Sequence, residues 1–359
     1  MINIPSRTEA IKKYKANGGK VAAVLPIHYS RGLFRAFDIL PVEVWGPPRI
    51  GTGKSAAHLQ QYVCSICHNA LSYIQQGGLD IADTILVPHA CDSLQGLGSI
   101  LLDFTPPRQP VFPLYVPRGH RQSGLDFFAA EFHSLYDRLS EMTGRFPRNR
   151  NLLASIEREE AADSLLKELH TQMRFLPSSN SAIYKLIRSR EYLPAEEFTQ
   201  LAQDILKMEQ GTPRQGTPIL LEGIVPEPME IFDALSNFDA VVVGDDFASC
   251  GRRVYPAGTS HDPFKRMAER ILHAPPDPTR GNSFEERRAH LMEMAARTGA
   301  AGIIFYIVKF CEPELFDLPI LQKEMREAGL PTLLIEVDLN SPFSQQAQTR
   351  LGAFLEMIQ

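Results

Sequence analysis

Three cysteines, Cys64, Cys91 and Cys311, occupy positions from which thiolates can reach one shared site in an α/β chain. Cys91 lies in ADTILVPHACDSLQ and Cys311 in GIIFYIVKFCEPELF, so each follows an apolar run that reads as a buried parallel strand. Ligands of open α/β sheets collect just beyond such strand ends. Cys64 falls in AAHLQQYVCSICHNALSYIQQGG, whose apolar spacing predicts a helix running up to a stop at Gly77 and Gly78. Thiolates converging from three elements could hold an iron–sulfur cluster between two halves of the chain. Zinc and plain burial in the core are the alternatives. Structural zinc usually draws four ligands from paired knuckles of short spacing, a pattern the isolated Cys91 and Cys311 do not make.

The elements that must position these cysteines repeat. GGKVAAVLP, LPVEVWG, TILVPHACD and QPVFPLYVP are followed, in similar order, by TPILLEGIVP, FDAVVVGDD, AGIIFYIVKFCE and LPTLLIEVDL. Short apolar runs alternating with helical stretches imply parallel sheets covered on both faces. The expected fold class is α/β: two Rossmann-like (flavodoxin-like) parallel-sheet domains with a helical middle segment, each with a cysteine after its third strand and the site between them. The boundaries are read as 1–123 for the domain with Cys64 and Cys91, 124–215 for the helical segment, and 216–359 for the domain with Cys311. A polar connection, HAPPDPTRGNSFEERR, joins two elements of the last domain and could fold over the site.

At 359 residues the chain is long for one core. A net charge of −5 gives no basic excess, so no nucleic-acid partner is expected. No apolar run approaches the roughly 20 residues of a membrane span, and MINIPSRTEAIKKYK has no apolar signal core. The expectation is a soluble cytoplasmic protein with no membrane partner. Five cysteines, an odd number, argue against a disulfide framework. PPRIGTGKSAAH ends like a phosphate-binding loop, but Pro48 stands where the pattern needs its first glycine. Cys64 and Cys67 form a CxxC that could be a redox pair; without a strand immediately before it, it reads instead as a metal-binding Cys64 beside a buried Cys67.

Taken together these segments resemble the 2-hydroxyacyl-CoA dehydratase and benzoyl-CoA reductase family of iron–sulfur subunits. The resemblance runs from KKYKANGGKVAAVLPIHYSRGLFRAFDILPVEVWGPP through YVCSICHNALSYIQQGGLDIADTILVPHACDS, ILLEGIVPEP and VVVGDDFASCGRR to VKFCEPELFDLPILQKEMREAGLPTLLIEVDL and the chain's end. Cys64, the HACD cysteine Cys91 and the KFC cysteine Cys311 match the three cluster ligands of that family. The resemblance implies a 4Fe-4S cluster held by three thiolates with one iron open, and an acyl-CoA substrate. It also implies an ATP-dependent iron–sulfur activator protein, and a homologous second subunit or a homodimer. A related branch carries a double-cubane cluster, which at three thiolates per cubane needs six cysteines. A non-catalytic electron-transfer subunit is the further alternative.

Several other residues carry two readings each. The relatives' Pro-x-Glu-Leu arrangement is replaced here by YSRGLFRAFD, with Ser30 and Arg31 in that neighbourhood. Glu43 could be an acid or base near substrate, or a solvated or ion-paired glutamate. Cys250 could be a fourth ligand, a thiol behind the cluster, or a small buried residue. His89 could orient substrate or bond a cluster sulfur, or be a loop histidine satisfied by backbone. Asp245, Asp246 and Arg253 could contact the acyl-CoA or fix a strand-end turn. Arg118 and Arg121 could meet CoA phosphates or remain exposed without a specific role.

Overall fold

The computed structural model describes residues 3–119, 122–208 and 212–359, so Arg121 lies outside the described residues. The chain opens with α1 (Arg7–Ala16), β1 (Lys20–Val24), α2 (Arg31–Ala36), β2 (Ile39–Glu43), α3 (Ser65–Gln75), β3 (Thr84–His89), α4 (Asp92–Ser99) and β4 (Val111–Tyr115). Four helices follow: α5 (Gln122–Thr143), α6 (Asn149–Thr171), α7 (Asn180–Ser189) and α8 (Ala195–Leu206). The remainder runs β5 (Thr217–Gly223), α9 (Glu230–Asn237), β6 (Ala240–Phe247), α10 (Pro263–Leu272), α11 (Phe284–Thr298), β7 (Gly302–Val308), α12 (Glu312–Leu315), α13 (Leu318–Glu327), β8 (Thr332–Val337) and α14 (Gln345–Ile358).

All eight apolar runs form strands, and every strand pairing is parallel. The first sheet has the order β2-β1-β3-β4 and the second β6-β5-β7-β8, so both halves share one Rossmann-like topology. Parallel neighbours require a crossover, which the intervening helices supply. β1 and β7 are buried along almost their whole length because helices cover both sheet faces. One apolar core joins the two sheets to α3, α7, α8, α9 and α14. A second lies on the other face of the first sheet, where α10 leaves its own half to place Met267, Ala268 and Ile271 among Phe128, Phe132 and Ile156. Among the described residues no helix is long and apolar enough to cross a membrane.

The helix carrying the CxxC differs from the sequence expectation, which began it before Cys64. α3 starts only at Ser65. His68 explains the late start: its ring nitrogens hydrogen-bond the Ser55 hydroxyl (2.9 Å) and the Gln60 carbonyl (3.0 Å), pulling the preceding chain back across the helix start as a loop. Leu59 and Val63 still pack on the core, so they show apolar spacing without being helical.

Candidate functional site

Cys64, Cys91 and Cys311 each occupy the residue immediately before a helix: α3, α4 and α12 respectively. Cys91 follows the end of β3 by two residues and Cys311 follows β7 by three, so both stand at the carboxyl edges of their sheets. First-turn N–H groups of Ile66 and Cys67 aim at the Cys64 sulfur, those of Ser93 and Leu94 at Cys91, and that of Glu314 at Cys311. None closes to a regular capping bond. Their dipoles still favour negative charge on the sulfurs.

The thiols also feel one another. The Cys67 thiol turned toward Cys64 is the main influence lowering the Cys64 pKa; the same contact, with burial, pushes Cys67 well up. Burial and then the charge of Cys64 push Cys91 up to about 12, and the same two causes raise Cys311. Cys67 is raised in addition by Cys91 and Cys311, so four cysteines lie within electrostatic reach of each other. Deprotonating several buried thiols together demands a compensating positive centre. That donor set fits a soft, multinuclear metal group. Among the described residues no three His, Cys, Asp or Glu side chains close around a single-ion site. Immediate neighbours of all three cysteines (Val63, Asp92, Phe310 and Glu312) line a cavity of about 550 Å³, with Tyr62 and Phe316 at its exposed rim.

Two buried networks hold this arrangement. α12 is too short to be stable alone. Glu314, three residues beyond Cys311, ties it to Arg252 and to Arg287 (3.0 Å). Arg252 in turn engages Glu222 at the end of β5 (2.8 Å) and Asp246 at the end of β6 (3.0 Å). On the other side of the site the Ser65 hydroxyl accepts the Leu339 N–H (3.2 Å), and Asn69 donates to Asn340 (3.0 Å), joining the start of α3 to the loop after β8. Gly46, at φ +75°, lies where a Cβ would come 2.6 Å from the Ile66 carbonyl, so only glycine lets the chain after β2 cross the first turn of α3.

The remaining residues singled out in the sequence are placed as follows. Glu43 is buried and its carboxylate accepts from Tyr29 (3.1 Å), Trp45 (3.1 Å) and both terminal nitrogens of Arg253, one at 3.0 Å. It is the ion-paired glutamate. Asp245 accepts the Phe247 and Gly251 N–H groups (3.1 and 2.8 Å) and the Tyr184 hydroxyl (2.7 Å), so it fixes the turn after β6. Cys250 is fully buried with Ser249, Asp245, Arg188 and Glu191 as its electrostatic neighbours, away from the other cysteines' contacts. Ser30 caps α2 and the buried Arg31 binds the Tyr29 hydroxyl and backbone carbonyls. His89 ends β3, edge-on to Tyr115; both its ring nitrogens are buried without a partner, contrary to a backbone-satisfied loop histidine. Burial lowers its pKa. Arg118 pairs loosely with Asp92 at the surface (3.6 Å). The segment resembling a phosphate loop forms a turn into a three-residue 3-10 helix rather than a strand–loop–helix. The polar connection after α10 sends Thr279 to His28 (2.7 Å) and lies against α12.

Sequence reasoning missed Arg252, Arg287, Glu222 and Glu314. The i, i+3 spacing of Glu314 from Cys311 was the one local signal; its partners lie 27 or more residues away.

Fold and site together define a two-sheet α/β protein with three cysteines at helix starts beside one cavity. The family model described as 2-hydroxyglutaryl-CoA dehydratase, D-component, matches residues 26–358, and the chain belongs to that family. It is 25% identical over 356 residues to the (R)-phenyllactyl-CoA dehydratase beta subunit of Clostridium sporogenes, covering 97% of this chain and 94% of the relative. Lactoyl-CoA dehydratase subunit beta of Anaerotignum propionicum is 26% identical, with 98% and 95% covered. A benzoyl-CoA reductase subunit of Thauera aromatica is 25% identical, with 94% and 91% covered.

Proposed function

We propose that the chain is the iron–sulfur subunit of an acyl-CoA dehydratase or reductase, with Cys64, Cys91 and Cys311 as ligands of a 4Fe-4S cluster. The carrying observation is that three thiols, each on the residue before a helix and within electrostatic reach of one another, stand beside one cavity. Bound there, the cluster would supply one-electron transfer to an acyl thioester, for dehydration of a 2-hydroxyacyl-CoA or reduction of an aromatic one. The chain's own residues bind and orient: the helix N-termini stabilise thiolate charge, Arg252 and Arg287 hold the Cys311 helix, and the buried walls around Cys64 and Cys311 keep water out. Relatives named as beta subunits support a partner subunit, which we take to be a homologous chain, with a second copy of this chain as the alternative. Low-potential electrons require an energised donor, here an ATP-dependent iron–sulfur activator.

A second reading, an electron-transfer subunit, is favoured by two observations. Cys67 stands close enough to serve as a fourth thiolate, and Glu43 has no free carboxylate oxygen for proton transfer.

The test is anaerobic purification, iron and sulfide quantification, and electron paramagnetic resonance with and without acyl-CoAs. About four irons per chain, a signal shifted by an acyl-CoA, and loss of iron in Cys64→Ser, Cys91→Ser or Cys311→Ser support the enzyme reading. A signal indifferent to acyl-CoA and altered by Cys67→Ser supports the relay. About eight irons per chain would indicate the double-cubane branch. Well-folded protein that takes up no iron would overturn all three.

A further inference from the structure

Cys67 is not among the three thiols assigned to the cluster in the main reading. It sits at the third position of α3, and its N–H donates to the Cys64 carbonyl at 3.1 Å, so the two cysteines share the opening turn of one helix. Side chains three apart on a helical turn have Cβ atoms about 5–6 Å apart, about 1–2 Å more than a disulfide spans, and Cys64, the residue before the helix, has an extended rather than a helical backbone, so helical geometry does not fix that spacing. The Cys67 thiol already faces the Cys64 sulfur. Cys91 and Cys311 belong to other elements, so only the Cys64–Cys67 pair can close by a shift within a single turn. Access is ordered as well. Val63, next to Cys64, lines the 550 Å³ cavity, as does Asp92 beside the half-buried Cys91, whereas Cys67 is 1% exposed and packs in the core with Ala70 and Leu71.

We propose that in the iron-free chain Cys64 and Cys67 are a disulfide-forming pair, oxidised by small-molecule disulfides entering through that cavity, so that disulfide formation and cluster loading compete for Cys64. The competition rests on the proposed function; the pairing does not. Cys64 as thiolate attacks one sulfur of the incoming disulfide, forming a mixed disulfide and releasing one thiolate. Cys67 then loses its proton and attacks the Cys64 sulfur, closing the intramolecular bond and releasing the second thiol. Two protein thiols are oxidised by two electrons and one external disulfide is reduced to two thiols. The oxidised pair holds Cys64 in a form that a thiol reductant can reverse, ahead of irreversible sulfinic and sulfonic oxidation.

The experiment uses the full iron-free chain treated anaerobically with glutathione disulfide, trapped with N-ethylmaleimide and mapped by mass spectrometry. The expected product is a Cys64–Cys67 disulfide. In Cys67→Ser the reaction stops at glutathione on Cys64, and prior loading with iron and sulfide abolishes modification of Cys64. Bridging of Cys64 to Cys91 or Cys311, or a Cys64 that stays alkylatable while Cys91 carries the glutathione, overturns the inference. If the pair forms but iron never loads, the cluster assignment fails and the pairing stands; if iron loads and the pair never forms, the inference alone fails.

Discussion

Glu43 and Arg253 form a buried ion pair across 210 residues of sequence, joining the end of β2 to the turn after β6. Their side chains are 1% and 4% exposed, so neither charge can be rescued by solvent if its partner is removed. Glu43→Gln replaces one acceptor oxygen by an NH2 group that must face a donor from Tyr29, Trp45 or Arg253, and it leaves the guanidinium uncompensated. Breaking a buried pair from one side costs about 3–5 kcal/mol. Arg253→Met strands the carboxylate and should cost a similar amount. The double variant removes both charges, and its cost should fall short of the sum by at least about 2 kcal/mol. At about 2.1 cal/mol/K per residue, 359 residues unfolding together give an entropy near 0.75 kcal/mol/K, so each single variant should lower Tm by about 4–7 °C. Calorimetry and urea unfolding of the iron-free chain at pH 7.5 would measure this without interference from metal. Single variants costing under about 1 kcal/mol, or costs that simply add, would refute the latch. A Glu43→Gln variant with unchanged Tm and abolished turnover would instead make Glu43 a free acid or base.

Three further outcomes are expected. Burial lowers the His28 pKa to about 3, with Asp277 opposing only in part. An unfolded histidine titrates near 6.5, so His28 contributes stability that is present above that pH and lost as pH falls toward 3, amounting to about 2 kcal/mol by pH 5. His28→Asn tolerates the backbone φ of +61° and should flatten the fall of Tm between pH 7.5 and 5; an unchanged slope would assign the acid sensitivity elsewhere. Gly46→Ala should cost about 1–3 kcal/mol in stability from its left-handed backbone and the clash with the Ile66 carbonyl, and should weaken iron retention by displacing the turn behind Cys64. Retention of full iron and Tm would show that this crossing is not tight. Cys250→Ala should lower stability by about 1 kcal/mol through a small cavity and leave iron per chain unchanged; lost iron would make Cys250 a ligand after all.

The eight strands were readable because a strand buried on both faces must be apolar at nearly every position, and turn residues bound each run. The positions of Cys91 and Cys311 just past such runs followed from the same local pattern. The start of α3 was not readable, because Leu59 and Val63 contact the core from a loop that His68 folds back, and periodicity registers burial rather than backbone conformation. The readings of Glu43, Asp245 and Cys250 stayed divided in the sequence for a different reason. Each depends on a charge or donor supplied from elsewhere: Arg253 for Glu43, Tyr184 for Asp245, and Arg188 and Glu191 around Cys250.

The sequence by itself determined where the chain is buried and where each cysteine falls relative to a strand end, since those follow from side-chain polarity over a few neighbouring residues. Tertiary structure alone decided which charges meet, because an ion pair is set by separation in space. Arg252 gathers Glu222, Asp246 and Glu314 from three elements that no local pattern connects.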